Sequence, residues 1–321
     1  MTGPGDTGIR IGLDVGGTKI AGIALADDGT VLGRVRRPSG WGDAAVLDGA
    51  VGSVIELIDQ LDVSRERIRS IGIGIPGLVD AASGVVLHAV NLGVASLGLA
   101  AHVREALGVA CVVENDVKAA ALGAAALRRD TAPIAYLNLG TGVAAGVIID
   151  GRIWRGARGT AGEVGHLVVD PQGRVCGCGQ RGCIETLCGG GALARAWGRG
   201  GELPVRDILD AADAADETAV ALRDDLFRGA AAAVRALVLA ADVETVVIGG
   251  GLTALAPRIE PGIRARLRRD AAPSPFLQSL HLDERIELLP ADSAVAAIGA
   301  ALLNAANAPT HPLEKEIPVH G

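Results

Sequence analysis

Residues 9–29, IRIGLDVGGTKIAGIALADDG, and residues 134–151, IAYLNLGTGVAAGVIIDG, carry one pattern twice. Each runs as an apolar β-type strand, a Gly/Thr turn, a returning strand and an Asp-Gly turn, the order of residues that makes a hairpin followed by a tight reversal. Asn138 takes the position of Asp14, at a nearly constant offset. A second pair, residues 71–77 (IGIGIPG) and 245–251 (TVVIGGG), recurs in the same order. Order and spacing repeat together, so the chain is expected to be two related α/β halves.

The stretches between these copies read as regular elements. Residues 30–36 give a third strand, apolar residues at helical spacing mark a helix over 47–61, and 68–75 is a buried strand ending at Pro76-Gly77. A helix closes at Gly108, a short strand covers 110–113, and Glu114-Asn115-Asp116 follows at its carboxyl end. Open α/β sheets bind ligands there. An alanine-rich helix over 117–129 follows, for which Asp116 is a favoured N-cap. Further on come helices from residue 192, including 225–239, a strand over 243–248 and an apolar helix over 295–306. Residues 1–8 and 309–321 read as mobile ends.

Composition limits the function classes. A chain of 321 residues is long for one core, so two domains are expected. With 49% hydrophobic and 21% charged residues it is globular, and a net charge of -7 leaves no basic footprint for nucleic acid or an anionic membrane. The run RARLRR at 264–269 reads as the solvated face of a helix. There is no secretory signal and no run long enough to span a bilayer, which points to the cytoplasm. In a reducing compartment, clustered cysteines serve metals or catalysis rather than disulfides. Cys111 and Cys188, outside the cluster, read as small buried hydrophobes. The 46 glycines gather just after apolar strands, where backbone turns tightly or approaches a ligand.

Three features carry chemistry. The turns Gly16-Gly17-Thr18, running into Lys19, and Gly140-Thr141-Gly142 expose backbone N–H groups and hydroxyls suited to a polyphosphate. Asp14, beside the first turn, is the acid placed to position a phosphate-bound metal ion. Residues 162–185, GEVGHLVVDPQGRVCGCGQRGCIE, gather Cys176, Cys178, Cys183 and His166 into a Cys3His set of the kind that suits structural zinc. Glu163 and Glu185 are left over.

The chain resembles the ROK family (repressor, open reading frame, kinase) of sugar kinases through DVGGTK at 14–19, GIPG at 74–77, END at 114–116, LGTG at 139–142, GEVGH at 162–166, CGCGQRGCIE at 176–185 and IGGG at 248–251. The resemblance implies a two-domain actin-like, hexokinase-like (ribonuclease H-like) α/β fold with an interdomain cleft. An N-terminal α/β domain over 1–118 would be joined by the last helix, 293–308; a second would cover 119–292 with a zinc insertion at 162–185, before a flexible tail at 309–321. It implies Asp116 as the general base that takes the proton of a sugar hydroxyl. Sugar contacts would come from Gly77, Asn91, Asn115, Glu163, His166 and Glu185. Gly249 and Gly250 would join the two turns at the nucleotide. The expected cofactors are ATP, Mg2+ and structural Zn2+, and the expected assembly is a homodimer or homotetramer. Closure of the cleft on sugar would exclude water.

Glucose, phosphorylated on its primary hydroxyl, heads the substrates; N-acetylmannosamine, N-acetylglucosamine, fructose, allose and a sugar-like cyclitol are alternatives, as is polyphosphate as donor. With 2% aromatic residues, polar recognition is expected to dominate. A transcriptional regulator is the alternative of another class, disfavoured because the first phosphate strand begins at residue 9 and leaves no room for a winged-helix domain. The sequence departs from the family pattern at Ala144 and Ala145, where glycines are common, at Val94, where glucokinase-like members often carry tryptophan, and at Asp292-Ser293-Ala294, which lacks a glycine before its aspartate. The Val94 departure bears on substrate choice.

Overall fold

The computed structural model describes residues 8–128, 131–290 and 293–306. The expectations for residues 1–7, Arg129, Asp292 and 309–321 lie outside them. The first half runs β1 (Ile9–Val15), β2 (Lys19–Leu25), β3 (Val31–Pro38), α1 (Asp43–Leu61), β4 (Ile68–Ile75), β5 (Leu78–Asp80), β6 (Val85–Ala89), β7 (Val94–Leu97), α2 (Leu99–Leu107), β8 (Cys111–Asn115) and α3 (Asp116–Arg128). The second half begins with β9 (Ile134–Leu139), β10 (Val143–Ile149), β11 (Arg152–Ile153), α4 (Ile184–Cys188), α5 (Gly190–Trp197), α6 (Pro204–Asp213) and α7 (Glu217–Ala241). It ends with β12 (Thr245–Gly249), α8 (Ala256–Ala271), α9 (Pro275–Ser279), β13 (Ile286–Leu288) and α10 (Val295–Ala306).

Two five-stranded sheets share one plan, β3-β2-β1-β4-β8 and β11-β10-β9-β12-β13. In each, the opening hairpin is antiparallel and the next two strands add in parallel. The equivalence reaches single residues: Asp14 lies opposite Gly74, and Asn138 opposite Gly249. The Ile and Val residues of β1 and β4 are buried, most of them completely, as strands covered on both faces require. At the Asp150-Gly151 turn both residues take positive φ, 52° and 71°, which matches the twist of a tight hairpin.

Helices α3 and α10 pack on each other between the two sheets, α10 against β1 and β4 and α3 against β9 and β10. They can do so because glycine stands at the crossings. A Cβ on Gly12 or Gly72 would collide with the α10 carbonyls of Ala297 or Ala300, and one on Gly146 would press on the Val117 carbonyl and Ala121 of α3. Gly123 and Gly299 play the same part where the helices meet. Asn304 Nδ2 donates to the Ile71 carbonyl at 3.3 Å and ties the end of α10 to β4.

Several boundaries differ from the sequence expectation. Helix α1 starts at Asp43, before the expected residue 47, because its first turn is partly exposed and apolar spacing alone does not mark it. The 225–239 segment is part of a 25-residue helix, α7, whose start is capped by Asp216 accepting from the Ala219 N–H. Strand β8 continues through Asn115, so two residues of END lie in the sheet. The small sheet β5-β6-β7 was not anticipated.

Gly72→Ala is expected to cost about 3 kcal/mol or more, the upper range for overpacking against backbone that cannot yield, whereas Gly200→Ala, with open space around it, should shift stability by about 0.5 kcal/mol or less. Urea unfolding of the two variants checks this contrast.

Candidate active site

A cavity of about 280 Å3 opens where the carboxyl ends of β1, β9 and β12 meet the start of α3. Asp14, Lys19, Asp116, Gly249 and Gly250 line it together with Tyr136, Asn138 and Thr253. Burial is the main force on its charges. It pushes the Asp14 carboxyl up to about 7, with the charge of Asp116 adding and that of Lys19 opposing. Burial also raises Asp116, opposed by the Val117 N–H and reinforced by the charge of Glu163. Two carboxylates this poorly solvated favour a bound proton or cation. Tyr136, the chain's single tyrosine, is raised by burial and by both aspartates. Its hydroxyl lies where a Gly249 Cβ would stand.

A second cavity of about 450 Å3, more apolar, is lined by Gly140, Thr141, Gly190, Gly191, Leu252 and Leu255, among others, and meets the first at Gly251. The N–H groups of Gly190 and Gly191 donate to the carbonyls of Gly140 and Thr141 at 2.8 and 2.9 Å, so the second Gly/Thr turn is stitched to the start of α5. Gly16, Gly17 and Thr18 belong to neither cavity. Their turn is closed by Gly16 N–H donating to the Lys19 carbonyl at 2.9 Å, and the buried Ser39 hydroxyl donates to the Gly16 carbonyl at 2.5 Å. Gly17 packs on Asn91. Gly142 faces Glu185, whose Oε2 accepts from the Val143 N–H at 3.0 Å.

Around Asp116 the END residues divide their work. Asn115 Oδ1 accepts from the N–H groups of Val117 and Lys118 at 3.1 and 3.2 Å, so Asn115 caps the helix that the sequence had assigned to Asp116; the Asp116 carboxylate accepts from the adjacent Val117 N–H at 2.9 Å. Asn115 Nδ2 reaches the Gly77 carbonyl at 3.2 Å. Glu114 is buried, accepts from the Asn115 N–H and pairs with Arg155 at 2.6 Å. Lys118, also buried, donates to the Gly159 carbonyl at 2.6 Å. The loop after β11 is thus clamped onto END from two sides. Val94 is buried in the core, but Trp41, 70% exposed, lays its indole on Gly93 beside it. An indole does stand next to the Asn91 turn, supplied by a different segment.

Glu163 begins a short turn, Val164–His166, that carries the imidazole to the cysteines. His166 Nδ1 lies 3.8 Å from Cys176 Sγ, and Cys178 Sγ lies 3.7 Å from Cys183 Sγ. All four ligand atoms fall within 4.8 Å of one another. A tetrahedron with metal–ligand bonds of ~2.0–2.3 Å has edges of roughly 3.5–3.8 Å, so the donor set and its spacing fit zinc. Gly179 and Gly182, with φ of 93° and 71°, let the loop fold back on itself. Cys111 and Cys188 are buried away from the cluster.

Tyr136 and Gly190-Gly191 escaped the sequence reading. The first sits inside an apolar strand run and the second continues a glycine run just after the cysteine motif, a signal that could have been used. Among the described residues no helix is long and apolar enough to cross a membrane.

Comparison with known proteins places this geometry. A glucokinase from Halalkalibacterium halodurans is 30% identical over 264 residues, 76% of this chain and 80% of that protein. An N-acetylmannosamine kinase from Yersinia pseudotuberculosis is 31% identical, over 76% of this chain and 83% of that protein. Among solved structures, a ROK hexokinase from Thermus thermophilus superposes with a TM-score of 0.79 at 32% identity, covering 92% of this chain and 97% of that one. A ROK family glucokinase from Streptomyces griseus, in complex with glucose and AMPPNP, gives 0.74 at 29% identity, covering 92% and 98%. The ROK family pattern itself matches residues 10–306, and the chain belongs to the ROK family.

Proposed function

We propose that this chain is a sugar kinase that transfers the γ-phosphoryl group of ATP to the primary hydroxyl of a hexose, glucose first. The observation that carries the reading is Asp14 and Asp116 lining one cavity with the Gly249-Gly250 turn. Phosphoryl transfer asks for positioned phosphates, neutralised charge and one base for the acceptor hydroxyl. Asp116 is that base: in its ionised form it takes the hydroxyl proton as the sugar oxygen attacks phosphorus, while Asn115, held by helix N–H groups and Gly77, fixes the strand end beside it. Asp14 and Asn138, the equivalent residues of the two halves, flank the phosphates, and the cavity at Gly140, Thr141, Gly190 and Gly191 takes the nucleoside. Mg2+ carried by the nucleotide would supply charge neutralisation on the phosphate oxygens. Glu163, His166 and Glu185 would offer acceptors to sugar hydroxyls, with Gly77 and Asn91 as further contacts, and unpaired buried acceptors would reject sugars that lack a partner hydroxyl. The bound glucose and AMPPNP of the Streptomyces griseus relative support the substrate pair.

A second reading, N-acetylmannosamine as acceptor, is favoured by the similarly close N-acetylmannosamine kinase. Release of ADP over a panel of both sugars, N-acetylglucosamine, fructose and allose separates the two. Glucose is expected to give the highest kcat/KM, and turnover of no sugar would end the kinase reading. Asp116→Asn should keep its melting temperature within a few degrees and lose roughly 10^3-fold or more in kcat; near-normal turnover would remove Asp116 from the base role. Zinc removal by a chelator is expected to lower both Tm and sugar affinity, because His166 and Glu185 border the metal loop. Differential scanning fluorimetry and sugar titration of the stripped protein check this.

A further inference from the structure

Away from the cleft, α7 and α8 pack side by side and leave a cavity of about 450 Å3 lined by Arg228, Arg235, Arg266 and Arg269, with Asp270 as its acid and Val169 of the metal segment at its rim. Arg228 and Arg235 are seven residues apart on one face of α7, and Arg266 and Arg269 are three apart on one face of α8. The lining therefore carries three net positive charges in a chain whose net charge is -7.

Elsewhere on α8 the arginines are satisfied locally, Arg264 by Glu260 and Arg268 by Asp283. Inside the cavity only two of the four are. Arg266 pairs with Asp270 at 2.7 Å, but Arg235 and Arg269 have no ion pair or hydrogen bond among the described residues. Arg228 Nη2 holds Asp170 and Asp225, each at 3.1 Å, while its buried Nε has no acceptor. An ordinary solvated helix face spreads its arginines and pairs them; here unpaired guanidinium groups from two helices converge on one concavity, where their mutual repulsion needs a counter-charge.

We propose that this cavity binds a small, multiply charged phosphate anion, either free or as the phosphate of an ester. The planar N–H forks of arginine match phosphate oxygens two at a time, which a lysine cluster or a single halide would not exploit. The volume falls in the range of small-molecule sites. The site is separate from the catalytic cleft and shares none of its lining residues.

Calorimetric titration of the full chain with inorganic pyrophosphate, and in a separate arm with glucose 6-phosphate, tests this. Three proteins are compared: wild type, Arg235→Gln/Arg269→Gln, and the charge-matched control Arg34→Gln/Arg36→Gln on exposed positions of β3. A cleft site contributes equally to all three, so the difference reports the arginine cavity alone. The α7/α8 double variant is expected to bind at least ~10-fold more weakly than wild type, the loss of one or two charge-assisted contacts, with the control unchanged. A difference in the pyrophosphate arm alone assigns the site to free phosphates, and one in the ester arm alone assigns it to sugar phosphates. Equal affinity in all three proteins, equal weakening in the control, or no binding of either anion would overturn the proposal. Neither arginine pair has an ion-pair or hydrogen-bond partner among the described residues, so circular dichroism should show all three proteins folded alike.

Discussion

Backbone lies directly on backbone where α10 crosses β1 and β4 and where α3 crosses β10, and only glycine permits it. Gly12, Gly72 and Gly146 remove the side chains that would hold sheet and helix apart, and Gly123 and Gly299 do the same between the helices. This close approach decides where the chemistry sits. Helix α3 begins at Asp116, so drawing its first turn against the second sheet while β8 stays in the first brings that carboxylate over Asp14 and next to Gly249. An ordinary leucine-faced helix pair would open the cleft floor by several ångströms. The alanine and glycine content of the chain follows from this packing: the two sheets meet through thin helices.

Much of the fold was legible because it is local and repeated. The hairpins at 9–29 and 134–151, the strand at 68–75 and the last helix could be read from β-branched runs, Asp-Gly turns and helical periodicity, and the duplicated order gave the two sheets. What escaped depends on contacts distant in sequence. Asn115 rather than Asp116 caps α3, because β8 runs two residues further than its apolar stretch indicates. Glu185, freed by the sequence for sugar, commits one oxygen to the Val143 N–H, and Trp41 reaches the place beside Val94 from the β3–α1 loop. Of the first turn and its flanks, Asp14 and Lys19 line the cavity, joined by the second half's Asn138, while Gly16, Gly17 and Thr18 lie outside its lining.

The cysteine segment and the second Gly/Thr turn form one connected body. Glu185, two residues after Cys183, holds the hairpin that follows Gly142, while Ile184 N–H donates to the Leu167 carbonyl beside His166. The same short helix, α4, leads directly into the glycines that bond Gly140 and Thr141. A cation that orders the cysteines would therefore also hold the second Gly/Thr turn, which gives a structural metal a direct effect on catalysis without contact with the reacting atoms.

Asp14 and Asp116 line one cavity, where burial and the charge of Asp116 hold the Asp14 carboxyl above its ordinary range. Carbon-13 detection of the Asp14 side chain across a pH titration of the ligand-free protein tests it most directly. The account predicts a midpoint of about 7 and a lower one in Asp116→Asn, where the neighbouring negative charge is gone and burial is opposed by Lys19 alone. A midpoint of about 4, the ordinary carboxylate value, or one that Asp116→Asn leaves in place, would contradict it.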